Sequence, residues 1–146
     1  MPETEQSAGG VVFYRTAKGE PLFLLMINRK GYWEFPKGHL QKGETDLVAA
    51  KREVKEETGL SEVKVLRGFK TMIKYRYQRM GRQSEKEVVF FLMETRPQSV
   101  VISEEHQGFI WLPYEEALSK LSYNNARRVL SEGYAFLSGL RGLWRQ

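Results

Sequence analysis

Alternating blocks of apolar and polar residues along this chain predict a series of β-strands around one central helix. Segments rich in aromatic, aliphatic and β-branched residues, each bounded by turn residues, are typical of strands. The predicted strands are residues 7–15, 21–27, 62–77 with a break near Gly68, 87–94 and 109–112. The run at 21–27 is apolar throughout, which is consistent with a buried strand.

Turn residues and two further helical patterns complete the predicted order of elements. The predicted turns and loops are residues 17–20, 80–82 and 100–108, and residues 31–36 predict a short strand or a loop. Pro113 suits the first turn of a helix that runs through Leu121. A last helical region extends from Asn124 to about Leu143, and it contains glycines able to interrupt it. The apolar residues near the end fit either the core or an interface; they include Phe136, Leu140 and Trp144.

The central helix has clear start and stop signals. Thr45 is a suitable N-cap, and Asp46 suits the positive end of the helix dipole. Gly59 is a suitable C-terminal stop. At about 100° per residue, one stripe of this helix should pack on a core, and it consists of Leu47, Ala50, Val54 and Thr58.

A second stripe of the same helix carries Glu53, Glu56 and Glu57, with the small Ala49 beside them. Like charges on one helical face repel each other, so a positive charge is expected nearby. Hard carboxylate oxygens suit Mg²⁺ or Mn²⁺ better than Zn²⁺. The alternative is a solvated helix face on which Arg52 and Lys55 form salt bridges with the glutamates.

Strands on both sides of this helix, followed by helices at the end, predict an α/β fold with a mixed sheet covered on both faces. The chain has 146 residues, which favours one domain spanning residues 1–146, without internal repeats. It contains no cysteine, so disulfides and thiolate metal sites are excluded. Neither a signal peptide nor a membrane span of roughly 20 apolar residues is visible. A cytoplasmic location is the expectation.

The net charge of +5 and the sequence pI of about 9.5 favour polyanionic partners such as nucleotides, inositol phosphates or RNA. General solubility is an equally good explanation. Lysines and arginines are spread along the chain without a dense basic tract, so we expect neither a stable nucleic-acid partner nor a membrane partner. The oligomeric state stays open.

The segment from Gly38 to Leu60, GHLQKGETDLVAAKREVKEETGL, fills every fixed position of the pattern G-x5-E-x7-R-E-U-x-E-E-x-G-U, where U is aliphatic. This pattern is the Nudix box, and the chain resembles the Nudix hydrolases. That family splits nucleoside diphosphates linked to another group with the help of a divalent metal. The resemblance implies an α/β/α sandwich.

The resemblance also implies roles for individual residues of the box. The metal ligands would be Glu53, Glu56 and Glu57, and one of these glutamates is also a candidate for the base. Gly38 would offer its backbone carbonyl to a metal. Arg52 would hold the glutamates in place through a bidentate contact. Glu44 would be a supporting carboxylate.

The flanks of the box resemble one branch of the family. Trp33 to His39, WEFPKGH, is similar to the WxxPKGH segment of diadenosine tetraphosphate hydrolases, which also occurs in diphosphoinositol polyphosphate phosphohydrolases. Further similarities to the first group are at residues 68–70, 75, 103–112, 115–117, 132–133 and 136–137. Together they resemble the asymmetrically cleaving enzymes of the animal and archaeal type.

This closer resemblance implies a set of residues that bind substrate. Lys37, His39 and Lys86 would contact phosphates, and Tyr75 and Tyr123 would sandwich an adenine. Glu105 would be a further metal ligand or base, although a shift of one residue would put Glu104 in its place. His106 is more simply a structural or exposed histidine. His39 could also cap the helix start, and Tyr75 and Tyr123 could be ordinary packing residues.

The sequence therefore predicts a metal-dependent hydrolase of a small-molecule polyphosphate nucleotide, with Mg²⁺ as cofactor and Mn²⁺ as a possible substitute. The substrate that we expect is diadenosine tetraphosphate, which would be cut to ATP and AMP. One alternative is another Nudix pyrophosphohydrolase, acting on RNA 5′ ends or diphosphoinositol polyphosphates. The other is a nucleotide-sensing Nudix module without catalysis, although such modules usually lose box glutamates.

Overall fold

The computed structural model describes the backbone of residues 3–144 and the side chains of residues 4–139. Seven strands and three helices follow one another along this part of the chain. They are β1 Glu3–Arg15, β2 Pro21–Asn28, β3 Trp33–Glu34, β4 Lys37–His39, α1 Asp46–Thr58, β5 Lys64–Arg79, β6 Arg82–Glu94, β7 His106–Pro113, α2 Tyr114–Lys120 and α3 Asn124–Trp144. The predicted α/β fold with a mixed sheet is confirmed.

The strands form one sheet in the order β3-β2-β1-β6-β5, with β4 paired to β1 and β7 paired to β2. β1 and β6 are parallel, and their register runs from Glu3 opposite Ser84 to Phe13 opposite Glu94. The other pairings are antiparallel. Strands β5 and β6 are joined by a two-residue turn in which Met80 and Gly81 have φ values of 54° and 76°. Such a turn matches the twist of the hairpin.

Both faces of the sheet are buried, and the apolar residues of one strand alternate between two cores. In β2, Phe23 and Leu25 lie in the core beneath α2 and α3, whereas Leu24 and Met26 lie in the core beneath α1. Side chains of consecutive strand residues point to opposite faces. The continuous apolar run at 21–27 is therefore explained by a strand covered on both sides.

Helix α1 begins and ends as predicted. Thr45 is the N-cap, and its side-chain oxygen accepts a hydrogen bond of 3.2 Å from the backbone N–H of Val48. Gly59 has a φ of 68°, and its N–H donates to the carbonyl of Lys55. The predicted apolar stripe is wrong at Leu47, which is 37% exposed, and Ala49 is buried in its place.

Other predictions differ from the structure, among them the start of β1, which is Glu3 and not residue 7. Strand β6 begins at Arg82 because it pairs with the whole second half of β5, and β7 begins at His106 within the predicted loop. Helix α3 is continuous, so its glycines do not interrupt it. Phe136 packs on Phe69, with ring centroids 5.6 Å apart, whereas the side chains of Leu140 and Trp144 lie outside the described residues.

The break predicted near Gly68 is present. Gly68 has a φ of 93°, and the register between β5 and β6 shifts between Val65 and Lys70. Among the described residues, no helix is long and apolar enough to cross a lipid bilayer.

Candidate active site

Arg52 of α1 connects the acidic residues of the box. Its Nε and Nη2 donate to the two carboxylate oxygens of Glu44 over 2.6 and 2.9 Å. Its Nη1 donates to Glu53 over 2.8 Å and to Glu56 over 3.1 Å. The bidentate contact is thus made with Glu44, and the hydrogen bonds of Arg52 lower the pKa of Glu44. Nη2 also donates to the carbonyl of His39 over 3.0 Å, which joins α1 to β4.

Gly38 lies directly against the carboxylate of Glu53. A Cβ at position 38 would lie 2.1 Å from the carboxyl carbon of Glu53 and 2.3 Å from each of its oxygens. Only glycine permits this approach, because contacts under about 3.0 Å require something to move. The backbone of β4 and the side chain of Glu53 therefore border the same small space.

Glu57 is the buried carboxylate of the cluster, with 3% of its surface exposed. Burial raises its pKa to about 9, and the charges of Glu53 and Glu105 add to the effect, while Lys37 opposes it. Its Oε2 has no hydrogen-bond partner within the described part of the chain. Burial and the neighbouring negative charges thus outweigh Lys37, and the ionised form of Glu57 is disfavoured.

His106 is buried, with 2% of its surface exposed, and it lies between two glutamates. Its Nε2 is 3.2 Å from Oε2 of Glu34, and its Nδ1 is 3.6 Å from Oε1 of Glu57. Burial alone would raise the pKa of Glu34. The hydrogen bond with His106, the charge of Lys37 and the hydrogen bond from Asn28 outweigh burial and lower that pKa.

A cavity of about 340 Å³ opens beside these groups. Its lining residues are Glu34, Phe35, Lys37, Ile73, Tyr75, Phe90, Tyr123, Asn125 and Ala126. Tyr75 and Tyr123, which are far apart in the sequence, therefore face one cavity together with Lys37. Nζ of Lys86 lies 6.0 Å from the ring centroid of Tyr75. The cavity thus combines two aromatic side chains with a lysine, a mixture of apolar and polar groups that is typical of small-molecule sites.

The two remaining predicted contacts differ in their surroundings. His39 is exposed, and its Nε2 lies 3.5 Å from a carboxylate oxygen of Glu5. That glutamate also accepts a hydrogen bond of 2.5 Å from the hydroxyl of Tyr77. Glu105 is close enough for its charge to raise the pKa of Glu57, whereas Glu104 is not among the causes of that shift. The choice of Glu105 rather than Glu104 as a site residue stays a prediction.

Sequence reasoning did not single out Glu34 and Tyr32. Glu34 lines the cleft and contacts His106, and the ring centroid of Tyr32 lies 5.4 Å from that of Tyr123. Glu34 follows Trp33 within the segment WEFPKGH, whereas Tyr32 directly precedes that segment, so position in or beside the motif was the only available signal.

The residues fit a divalent cation. Among the described side chains, no group of three or more acidic or histidine residues is already arranged to hold a metal. Arg52 instead occupies oxygens of Glu53 and Glu56. The donor set consists of carboxylates and backbone carbonyls, which are the ligands that Mg²⁺ and Mn²⁺ prefer. The unpartnered Oε2 and the raised pKa of Glu57 indicate where a positive charge would be stabilised.

A mixed sheet between helical layers, with the helix of the Gly-x5-Glu-x7-Arg-Glu motif packed on one face, defines the class as the Nudix fold. Residues 4–132 match the sequence model of the NUDIX domain, and the chain belongs to this family. The predicted resemblance and fold class are both confirmed.

Several relatives with assigned activities are asymmetrical bis(5′-nucleosyl)-tetraphosphatases, and others include an 8-oxo-(d)GTP phosphatase of Mycolicibacterium smegmatis and, over 34% of this chain, an RNA pyrophosphohydrolase of Helicobacter pylori. The chain is 38% identical to the asymmetrical bis(5′-nucleosyl)-tetraphosphatase of Mus musculus over 121 residues, covering 79% of this chain and 80% of the mouse protein. It is 32% identical to the enzyme of the same name from Caenorhabditis elegans, covering 90% and 96% of the two chains. These relatives support a hydrolase of this kind.

A solved structure agrees with the sequence comparison. The binary complex of the C. elegans Ap4A hydrolase superposes with a TM-score of 0.81 at 30% identity, covering 92% of this chain and 98% of that one. The similarity of fold therefore extends over most of both chains.

Proposed function

We propose that this protein hydrolyses diadenosine tetraphosphate asymmetrically, to ATP and AMP, with Mg²⁺ as cofactor and Mn²⁺ as a substitute. The observation that carries the proposal is the cleft in which Tyr75, Tyr123 and Lys37 face one cavity beside the box helix. Two aromatic rings suit a nucleobase, and a lysine at the same cavity suits the phosphate next to it. The tetraphosphatase relatives support the same substrate.

The metal would be held by Glu53, Glu56, Glu57 and Glu105, with the backbone carbonyl of Gly38. When bound, it supplies charge neutralisation at the phosphates and a more acidic water. Glu56 is free to leave Arg52, because its side chain is 56% exposed and that contact is an ordinary surface salt bridge. Glu57 stays in place because it is buried.

The substrate would lie across the cleft with one adenine between Tyr75 and Tyr123. Lys37 and Lys86 would neutralise the phosphates that follow, and His39 would join them after releasing Glu5. Water would attack the phosphorus nearest the stacked adenosine, and ATP would leave. Fixed positions and charges supply most of the catalysis in phosphoryl transfer, which agrees with a site that offers few groups besides carboxylates and lysines.

The alternatives are less well supported. A diphosphoinositol enzyme has no need for two tyrosines at the cleft, and a nucleotide sensor has no need for the intact set of Glu53, Glu56 and Glu57. An RNA pyrophosphohydrolase would need a path for the chain beyond the first nucleoside. Activity on RNA 5′ ends or inositol pyrophosphates without activity on diadenosine tetraphosphate would select one of these alternatives.

Product analysis tests the proposal. The protein is incubated with diadenosine tetraphosphate and Mg²⁺ in ¹⁸O-labelled water, and products are separated by anion exchange. We expect equal amounts of ATP and AMP, with the label in AMP. Two ADP per substrate would contradict asymmetric cleavage, and label in ATP would contradict the proposed point of attack. No turnover by folded protein would contradict the substrate.

Substitution of the aromatic pair tests how the cleft is used. Tyr75→Ala or Tyr123→Ala should each raise KM about 5- to 100-fold, since stacking on one ring contributes roughly 1–3 kcal/mol per base. The matched controls Tyr75→Phe and Tyr123→Phe retain the rings and should stay near wild type. An unchanged KM in both alanine variants would contradict stacking.

A further inference from the structure

We propose that Glu34 and His106 form a positioning pair that holds Glu57 in place, so that a side chain of the nucleoside cleft helps to set metal affinity. Glu34 lines the cleft, and His106 connects it to the carboxylate helix. The inference rests on the proposed function in one respect, namely that Glu57 is a metal ligand.

The pair is part of a string of four polar side chains. Nδ2 of Asn28 donates to Oε1 of Glu34 over 3.0 Å, and Oε2 of Glu34 lies 3.2 Å from Nε2 of His106. Nδ1 of His106 then faces Oε1 of Glu57 at 3.6 Å. The side chains of His106 and Glu57 are 2% and 4% exposed. Such buried polar groups keep their positions only where partners hold them.

The backbone fixes each member of the string separately. Asn28 of β2 lies opposite His106 of β7, and Met26 of β2 lies opposite Glu34 of β3. The side-chain amide of Gln107 donates to the carbonyl of Asn28 over 2.9 Å. Three neighbouring strands therefore bring the string together, and it does not depend on one flexible loop.

The orientation of the imidazole follows from its contact with Glu34. Because one ring nitrogen lies against that carboxylate, the other must point towards Glu57. The 3.6 Å separation is longer than an ordinary hydrogen bond, and neither Nδ1 of His106 nor Oε2 of Glu57 has another partner among the residues described. Nδ1 of His106 is thus held beside Glu57, which is the buried carboxylate of the cluster.

This arrangement links the two halves of the site. A nucleoside between Tyr75 and Tyr123 shares its cavity with Glu34, and Glu34 in turn fixes His106. Groups that hydrogen-bond to a metal ligand and orient it commonly contribute 10- to 100-fold in metal affinity. Any change in metal affinity that nucleotide binding produces through this pair must equal the change in nucleotide affinity that metal binding produces, because coupling between two sites is reciprocal.

The test is a titration with Mn²⁺ alone, without nucleotide, in which electron paramagnetic resonance measures free Mn²⁺. Asn places its amide where Nδ1 of a histidine lies, and Gln places it where Nε2 lies. We expect His106→Gln and Glu34→Gln to weaken Mn²⁺ binding about 10- to 100-fold. His106→Asn should recover part of the loss, because its amide still faces Glu57. Circular dichroism and thermal melting confirm that each variant is folded.

Two references make the result decisive. Glu57→Gln removes the ligand itself and should weaken binding strongly, while Glu116→Gln, on the exposed face of α2, should bind Mn²⁺ as wild type does. Wild-type affinity in both Glu34→Gln and His106→Gln, with loss in Glu57→Gln, would overturn the positioning pair alone. Equal losses in His106→Asn and His106→Gln would also contradict it. Wild-type affinity in Glu57→Gln would instead overturn the metal site of the proposed function.

Discussion

The carboxylates of α1 occupy three different environments. Glu53 lies between Arg52 and the backbone of Gly38, Glu56 is 56% exposed, and Glu57 is buried with its pKa raised. Their positions along the helix explain the difference, because Glu57 shares the inward side with Ala50 and Val54. The three glutamates are therefore expected to differ in how their substitution changes stability, even where the effect on turnover is similar.

We expect Glu56→Gln and Glu57→Gln each to lower turnover by orders of magnitude without unfolding the protein. Each change removes a negative oxygen ligand and retains the shape of the side chain. Steady-state rates with Mg²⁺ measure the first effect, and circular dichroism measures the second. Near wild-type turnover in both variants would contradict the proposed metal site.

The buried position of Glu57 also predicts how the stability of the metal-free protein depends on pH. Its folded-state pKa of about 9 lies above the usual value of 4.5, so the unfolded state loses its proton first. The contribution of Glu57 to stability is thus fully present below about pH 4.5 and is lost as pH rises towards 9.

Thermal melting in EDTA measures this effect. The side chain of Glu57→Gln does not titrate in this range. The melting temperature of the variant minus that of wild type should therefore increase from pH 5 to pH 9. A difference of one pKa unit corresponds to about 1.4 kcal/mol. A constant difference between the two proteins over this range would contradict the raised pKa.

At the residue scale, contacts between side chains could be predicted from the sequence only when a motif or helical spacing connects the two residues. Arg52 and the glutamates of α1 followed from the box, and the pairing of Tyr75 with Tyr123 followed from family resemblance. The contact between Glu34 and His106 did not, because it depends on which strands neighbour each other in the sheet. Leu47 is exposed because the helix turns a different side towards the sheet.

Strand β4 is short, and its function depends on how closely its backbone approaches α1. Gly38→Ala would place a Cβ 2.1 Å from the carboxyl carbon of Glu53 and displace that side chain. We therefore expect turnover to fall at least tenfold, with a smaller change in stability. Kinetic assays and thermal melting measure the two effects.

The matched control is Gly139→Ala in α3, where no described atom lies within 4 Å of the added Cβ. It should retain full turnover and gain about 0.5–1 kcal/mol of stability, because alanine is favoured over glycine in a helix. Full turnover in Gly38→Ala would show that Glu53 tolerates displacement.

At the element scale, start and stop signals were sufficient for α1, where Thr45 and Gly59 have the predicted roles. They were not sufficient for α3, because packing on the sheet stabilises a helix beyond its intrinsic propensity. Long helices therefore tolerate glycines that a local pattern marks as breaks. The extension of β6 back to Arg82 likewise reflects pairing with β5, since the polar residues at its start carry no strand signal.

For the whole molecule, the unbalanced carboxylates predict stabilisation by a divalent metal. A ligand that binds only the folded state stabilises it by about 2.7 kcal/mol at 100 times its dissociation constant. Thermal melting with saturating Mg²⁺ or Mn²⁺ should show this increase for wild type and a smaller one for Glu57→Gln. No increase in wild type would contradict a metal site built from these residues.

The parallel pairing of β1 with β6 has a consequence for synthesis on the ribosome. Strand β1 is synthesised shortly before its antiparallel partners β2 and β4, so it can pair with them early. Its other edge stays unpaired until residues 84–94 of β6 have been synthesised. Until then, an apolar strand with an open edge is exposed, which favours contact with chaperones or with other nascent chains. Contacts between distant residues also slow folding. The cleft, which needs Tyr75 and Tyr123 together, can be completed only after both β5 and the start of α3 have been synthesised.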